Sequence, residues 1–195
     1  MSDAKIYVGS TEVDYYELVP SGFNHTFLFY DADGNLNTTN DQWVIQAYPS
    51  SVNPFTNKLV ISNTWAGNDS KLDLDTDNDG LADRNPSDLN LVDITSYFDD
   101  GETGWQSLSA HAESLGTYES GVDAYNTGQD YNAFYHNCNT VVNTLLVGAG
   151  QVVFRMKTRK ASKLLRLRNS GMNYWSGSSG KSCIRHVLAS FTIMR

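Results

Sequence analysis

The sequence predicts an α+β domain in which an antiparallel sheet packs against helices. Segments rich in aromatic and β-branched residues, which are typical of strands, fill the first third of the chain. Apolar residues that recur every three or four positions, which indicate helices, follow only from Trp105 onward. Since strands precede helices instead of alternating with them, a regular βαβ fold is not indicated. The chain has 195 residues, of which 40% are hydrophobic, and this is enough to bury one core.

The predicted strands are apolar, aromatic and β-branched runs bounded by turn-forming residues. They are residues 5–8, 12–18, 25–30, 42–48 and 58–62. A turn at Gly9 and Ser10 separates the first two strands, and a polar turn over residues 31–35 follows the third. Pro49 ends the fourth strand, which we expect to return antiparallel to the third.

Two helices are predicted in the second half of the chain. Over residues 105–126, apolar side chains at spacings of three and four indicate an amphipathic helix. A second helix begins at Cys138, and Asn137 can serve as its N-cap. Its apolar stripe consists of Cys138, Val141, Val142, Leu145, Leu146 and Ala149. Gly148 and Gly150 are available to end this helix, so Cys138 lies in its first turn.

Charge divides the chain sharply at residue 150. All 22 acidic residues lie in residues 1–150 with only four basic ones, which gives that stretch a net charge of −18. Residues 151–195 contain ten basic residues and neither Asp nor Glu. We therefore predict one folded domain over residues 1–150 and a basic C-terminal extension of unknown role over residues 151–195.

Cys138 has the surroundings of a nucleophile. A cysteine in the first turn of a helix faces the partial positive charge of unsatisfied N–H groups, which lowers the pKa of its thiol. The backbone N–H of Cys138 is a candidate donor to a developing oxyanion, with the side-chain amide of Asn137 or Asn139 as a candidate second donor. The alternative is a structural role, because a lone cysteine on an apolar helix stripe is most often a small buried hydrophobic residue.

A thiol nucleophile needs a base, and imidazole has the appropriate pKa near neutrality. The histidines of the chain are His25, His111, His136 and His186. His136 precedes the Cys138 helix by two residues, and His111 lies on the preceding predicted helix. His25 begins a buried strand, and Gln46 on the neighbouring predicted strand can orient its ring. We therefore predict Cys138, His25 and Gln46 as the catalytic residues.

The motif Asn137-Cys138-Asn139 at a helix start, preceded along the chain by a strand histidine, resembles circularly permuted papain-fold hydrolases of the NlpC/P60-like and PPPDE/LRAT-like kind. In unpermuted NlpC/P60 domains the cysteine helix comes before the histidine strand, and here the order is reversed. The resemblance covers roughly residues 20–150 and places Gln46 at the third polar position. It implies a papain-like fold and thiol-dependent cleavage of an amide or peptide bond. Since some bacterial members act on cell-wall peptides, the implied substrate is a peptide or a peptidoglycan-like molecule.

An acidic loop near residues 73–88 has the spacing of a calcium site. Its candidate ligands lie at alternate positions of a loop that begins at Asp75: Asp75, Asp77, Asp79, the carbonyl of Leu81 and Asp83. Pro86 stands where an EF-hand has Glu, so the loop resembles the calcium repeats of thrombospondin type 3 and dockerin modules, with Asp73 or Asp88 available to complete the shell. We predict structural calcium here, and the alternative is a solvated acidic turn.

The basic stretch over residues 154–168 is a candidate for contact with an anionic membrane or nucleic acid. The alternative is an extension without such a role. No Sec signal peptide and no transmembrane segment are expected, because neither an apolar h-region nor a long apolar run is present. Calcium loops of this kind bind at millimolar calcium, which favours an extracellular or periplasmic location. The competing function is a non-catalytic, calcium-stabilised binding module of a secreted or phage-associated protein, in which Cys138 is a core residue.

Overall fold

The computed structural model describes residues 4–12, 24–51, 57–68, 72, 74–77, 79–132 and 136–149. The predicted basic extension over residues 151–195, which includes the 154–168 stretch, lies outside the described residues. Residues 13–18 of the second predicted strand also lie outside them.

Seven strands of the described chain form one antiparallel sheet. They are β1 (Lys5–Glu12), β2 (Asn24–Asp31), β3 (Gln42–Pro49), β4 (Lys58–Trp65), β5 (Val92–Asp93), β6 (Thr117–Glu119) and β7 (Ala124–Asp130). Their order across the sheet is β5-β1-β2-β3-β4-β7-β6. Together with two α-helices, this sheet confirms the α+β class that the sequence predicts.

The three central strands match their predictions. β2, β3 and β4 contain the predicted segments 25–30, 42–48 and 58–62, and neighbouring strands pair antiparallel as expected. Phe27 of β2 lies opposite Gln46 of β3, and Gln46 lies opposite Ser62 of β4. These pairs place side chains of three strands on one face, because directly opposed residues of a sheet point the same way.

The predicted turn at Gly9 and Ser10 is wrong. β1 runs without interruption from Lys5 to Glu12, and Gly9 lies opposite Phe27 in the pairing with β2. A Cβ atom on Gly9 would lie 2.3 Å from the Phe27 ring. Glycine at this position therefore makes room for a neighbouring side chain instead of forming a turn.

The helices are α1 (Gly101–Ser114) and α2 (Cys138–Gly148). Short 3₁₀ segments occur at Ala66–Asn68, Pro86–Leu89 and Thr95–Tyr97. The Asp100 side chain accepts the backbone N–H of Thr103 at 2.8 Å and caps α1. α2 begins at Cys138 with Asn137 as its N-cap, which confirms the predicted start of this helix.

The first helix is shorter than the predicted 105–126. It ends at Ser114, and the chain then forms the hairpin of β6 and β7, in which Tyr118 lies opposite Tyr125. Tyr118 and Tyr125 fit a helical spacing and a cross-strand pair equally well, and this is why periodicity alone misassigns them. Gly116 permits the close approach of the chain to β7 at the start of the hairpin. A Cβ at this position would lie 2.7 Å from the carbonyl oxygen of Asn126.

Each face of the sheet carries its own apolar cluster. α1 and α2 cover one face, where buried side chains such as Leu28, Ile45 and Leu108 meet. Leu72, Leu74 and Leu89 cover the other face. Among the described residues, no helix is long and apolar enough to span a membrane.

Candidate active site

The sheet opens between β2 and β3 near the predicted catalytic residues. The two strands pair only as far as Phe27 and Gln46. Beyond this pair, β2 continues to Asn24 beside β1, and β3 continues to Pro49 beside β4. α2 packs over β2 and β3. Its first residue, Cys138, meets the backbone of β2 at this opening.

Asn137 holds the start of α2. Its backbone is extended, with φ −143° and ψ −176°, and its Oδ1 accepts the backbone N–H of Thr140 at 3.2 Å. This bond satisfies one of the free N–H groups of the first turn. Cys138 therefore stands at a fixed helix start as a free cysteine, with only 6% of its surface exposed.

His25 is oriented by Gln46. The His25 Nε2 lies 2.6 Å from the Oε1 of Gln46, which is 1% exposed. Because an amide oxygen only accepts hydrogen bonds, this contact places a ring proton on Nε2. Nδ1 is then the ring nitrogen that remains for exchange of a proton with a thiol. The ring also stacks on Phe27, with 6.1 Å between the ring centroids.

The His25 ring lies next to the thiol of Cys138 and interacts with it. Burial raises the pKa of the Cys138 thiol, whereas the hydrogen bond and charge of His25 lower it, as do the backbone N–H groups of Thr26 and Asn139. The lowering contributions prevail, so the pKa of Cys138 lies below the ordinary value of a cysteine thiol. The structure thus brings Cys138, His25 and Gln46 together.

Thr26 is a site residue that sequence reasoning missed. Its backbone N–H bonds the Cys138 sulfur, and its hydroxyl donates to Oδ1 of Asn139. That oxygen also lies 3.9 Å from the Cys138 sulfur. Asn139 therefore turns its carbonyl oxygen, and not its amide N–H groups, toward the thiol. No local pattern marks Thr26, because its role follows from the end of the β2–β3 pairing.

Neither of the other described histidines is among the groups that shift the pKa of the Cys138 thiol. His111 lies on α1 beside Gly148 at the far end of α2, and burial lowers the pKa of its ring. His136 pairs with Asn132 in an isolated backbone bridge. A cavity of about 290 Å³ lies toward the opposite end of β2, beside Tyr30 and Trp43, and does not include Cys138.

The acidic loop brings three of its predicted ligands together. Ligand oxygens of Asp75, Asp77 and Asp83 lie within 4.8 Å of one another, so this cluster can hold a metal ion. Asp79 is not a member of this cluster. Its Oδ1 accepts the backbone N–H of Leu81 at 2.8 Å. Leu81 itself pairs with Thr38 of the neighbouring loop in an isolated bridge.

Asp75 is the buried member of this cluster. It is 5% exposed, and its Oδ2 accepts the Thr39 hydroxyl at 2.6 Å and the backbone N–H of Gly80 at 3.2 Å. Its Oδ1 is buried and has no hydrogen-bond donor among the described residues. Since a buried carboxylate oxygen without a partner is costly, this atom fits a cation ligand.

No protein-family model, no curated protein and no solved structure matches this chain. Function is therefore inferred from the chemistry of the residues around Cys138 and of the acidic loop.

Proposed function

We propose that this protein is a thiol-dependent hydrolase that cleaves an amide or peptide bond, with Cys138 as nucleophile and His25 as base. The observation that carries this proposal is that His25, whose ring lies 2.6 Å from Gln46 Oε1, neighbours the Cys138 thiol and lowers its pKa. A structural cysteine needs neither an oriented imidazole nor a lowered pKa. Nucleophile, base and orienting group are the parts that covalent catalysis by a thiol requires.

The reaction follows from this arrangement. His25 holds the thiol proton, and the Cys138 sulfur forms a bond to the amide carbonyl carbon while the carbonyl π electrons move to oxygen. The C–N bond then breaks as His25 gives its proton to the departing amine, which leaves a thioester on Cys138. Water, deprotonated by His25, attacks the thioester, and release of the acid regenerates the thiol. The backbone N–H of Cys138 is the proposed donor to the oxyanion in both steps.

The proposed fold relationship is to permuted papain-like hydrolases of the NlpC/P60-like kind. Its support is the order of the parts: His25 on β2, Gln46 on β3 and Cys138 at the start of α2, which packs over both strands. By that resemblance the proposed substrate is a peptide or a peptidoglycan-like molecule.

Alkylation of Cys138 tests the nucleophile. The full chain with Cys183→Ser is treated with iodoacetamide at pH 6, and modification is followed by intact mass, so that Cys138 is the only thiol. Because its pKa is lowered, Cys138 is expected to react faster than N-acetylcysteine, which is almost fully protonated at this pH. His25→Ala is expected to slow the reaction strongly, with His25→Gln as a second variant if folding suffers.

A rate for Cys138 no higher than that of N-acetylcysteine, in a folded chain, would contradict the hydrolase. It would favour the binding module in which Cys138 is a core residue. Far-UV circular dichroism of each variant separates loss of activation from loss of structure.

We also propose that the acidic loop binds a structural calcium ion. Asp75, Asp77 and Asp83 supply carboxylate oxygens that lie close together, and the buried Oδ1 of Asp75 is available to a cation. Calcium takes six to eight oxygen ligands in flexible geometry. Asp83 is further held by the backbone N–H of Thr76 at 2.7 Å. Asp79 and the carbonyl of Leu81 are the further candidate ligands that the loop spacing offers.

A further inference from the structure

A second loop of the same design stands beside the acidic loop. Residues 31–42 connect β2 to β3, and the sequence predicts only a turn at their start. Asp31, Asp33 and Asn35 occupy alternate positions, as Asp75, Asp77 and Asp79 do. We propose that this connection binds a second calcium ion, with Asp31, Asp33 and Asn35 as side-chain ligands.

Asp31 is the observation that points to a ligand. The residue is 0% exposed, and its Oδ1 accepts the backbone N–H of Gly34 at 3.1 Å. Its Oδ2 is buried and receives no hydrogen bond from the part of the chain that the structure describes. Asp75 has the same hydrogen-bonding pattern: one oxygen accepts a backbone N–H of its loop, and the other has no donor among the described residues.

The carboxylate of Asp31 faces a like charge. The carboxylate of Asp33 lies next to it. Two carboxylates in contact at neutral pH repel each other unless a cation lies between them. Hard divalent cations prefer such oxygen atoms, and a charge of +2 would balance the pair.

Gln42 brings a further amide to the loop. With Asp31 as the first residue, Gln42 stands at position twelve, where an EF-hand has a ligand side chain. It lies directly opposite Asp31 in the β2–β3 register and is 2% exposed. Its Nε2 donates to the carbonyl oxygen of Asn35 at 3.3 Å, so its amide group lies inside the loop.

The two loops are joined, which holds both in a defined shape. The backbone N–H of Thr39 donates to the carbonyl of Gly80 at 3.0 Å, and the N–H of Ala82 donates to the carbonyl of Asn37 at 3.1 Å. These bonds flank the bridge between Thr38 and Leu81. Preorganised ligands bind a cation with less loss of conformational entropy.

Calorimetric titration of the EDTA-treated full chain with CaCl₂ tests the second site. Asp33→Asn and Asp77→Asn each change one exposed carboxylate of one loop, and Asp99→Asn changes an exposed carboxylate outside both. The wild-type chain and Asp99→Asn are expected to bind two calcium ions, each single-loop variant one, and the double variant none. Circular dichroism checks that each variant is folded.

The outcomes separate the two calcium sites. Binding of one ion by the wild-type chain, unchanged by Asp33→Asn but lost in Asp77→Asn, would overturn the second site and leave the first. One ion lost in Asp33→Asn but kept in Asp77→Asn would support the second site and contradict the first. No calcium binding by the folded wild-type chain would overturn both.

Discussion

His25 Nε2 and Gln46 Oε1 lie 2.6 Å apart, although the two residues are not opposite each other in the sheet. Gln46 is opposite Phe27, and His25 lies two residues before Phe27 on the same face of β2. The amide therefore reaches diagonally across the seam where β2 and β3 stop pairing. This contact places the ring proton on Nε2 and leaves Nδ1 as the nitrogen that can exchange a proton with the thiol.

Replacement of Gln46 by Leu is expected to slow alkylation of Cys138 at pH 6 by about 10-fold to 100-fold, since a hydrogen bond to a charged group contributes about 1.5–3 kcal/mol. Without the amide oxygen, the thiolate–imidazolium pair is less stable and the His25 ring is free to turn. The pH profile of alkylation is therefore expected to move to higher pH, which loss of packing alone would not cause.

Ser62→Ala is the matched control for Gln46→Leu. Ser62 lies opposite Gln46 on β4 and is buried, and its Oγ has no hydrogen-bond partner within the described chain. Its removal is expected to leave the alkylation rate and the pH profile unchanged. Equal slowing in both variants would mean that the sheet, and not the hydrogen bond to His25, determines the reactivity of Cys138.

The pH dependence of alkylation follows from the lowered pKa of Cys138. Reactivity is lost as pH falls through the pKa of the thiol, because only the thiolate reacts. Since that pKa lies below the ordinary value, the midpoint of the rate profile is expected at lower pH than for N-acetylcysteine. His25→Ala removes a contribution that lowers the pKa and leaves burial, which raises it, so the midpoint is expected to move upward.

Thr26→Val provides the comparison for this profile. Valine has the shape of threonine and keeps the backbone N–H that bonds the sulfur, but it loses the hydroxyl that donates to Asn139. The midpoint is expected to stay near that of the wild-type chain. A midpoint that moves as far as in His25→Ala would mean that the hydroxyl of Thr26, through Asn139, lowers the pKa of Cys138 as much as His25 does.

Much of this arrangement could be predicted from the sequence where the signal is local. The start of α2 was predictable because an N-cap, Asn137, directly precedes an apolar helix stripe. The contact between Cys138 and His25 has no local signal, since it depends on how α2 lies over the sheet. The hairpin of β6 and β7 was missed because aromatic residues at helical spacing outweighed the turn residues around them.

Asn137 links helix stability to the site. Asn137→Ala removes the acceptor for the Thr140 N–H and is expected to lower the free energy of unfolding by about 1 kcal/mol. Asn137→Ser keeps an N-cap acceptor and is expected to restore stability in urea unfolding. If the Asn137 amide also donates to the oxyanion, the Asn137→Ser variant will hydrolyse its substrate slowly although its stability is normal. A hydrolysis rate equal to that of the wild-type chain would assign Asn137 to helix capping alone.

Calcium is expected to stabilise the fold. A ligand that binds only the folded state adds about 2.7 kcal/mol at 100 times its Kd, which raises Tm by about 5–10 °C in a domain of this size. Melts with CaCl₂ and with EDTA measure the difference, and Asp77→Asn is expected to lose part of it while Asp99→Asn keeps it. Identical melts with CaCl₂ and EDTA would contradict a structural calcium ion.

Gly9 is expected to tolerate no side chain. A Cβ at this position would lie 2.3 Å from the buried ring of Phe27 and 3.0 Å from Leu91. Gly9→Ala therefore forces the ring or β1 to move, and overpacking of this kind costs about 1–3 kcal/mol. Because Phe27 stacks on His25, the displaced ring is also expected to slow alkylation of Cys138.

Gly121→Ala is the control for this substitution, because nothing lies within 4 Å of a Cβ built there. It is expected to leave urea unfolding nearly unchanged or to stabilise the chain slightly, since alanine restricts the unfolded state more than glycine does. If Gly9→Ala unfolds at the same urea concentration as Gly121→Ala, β1 and the Phe27 ring can separate without cost.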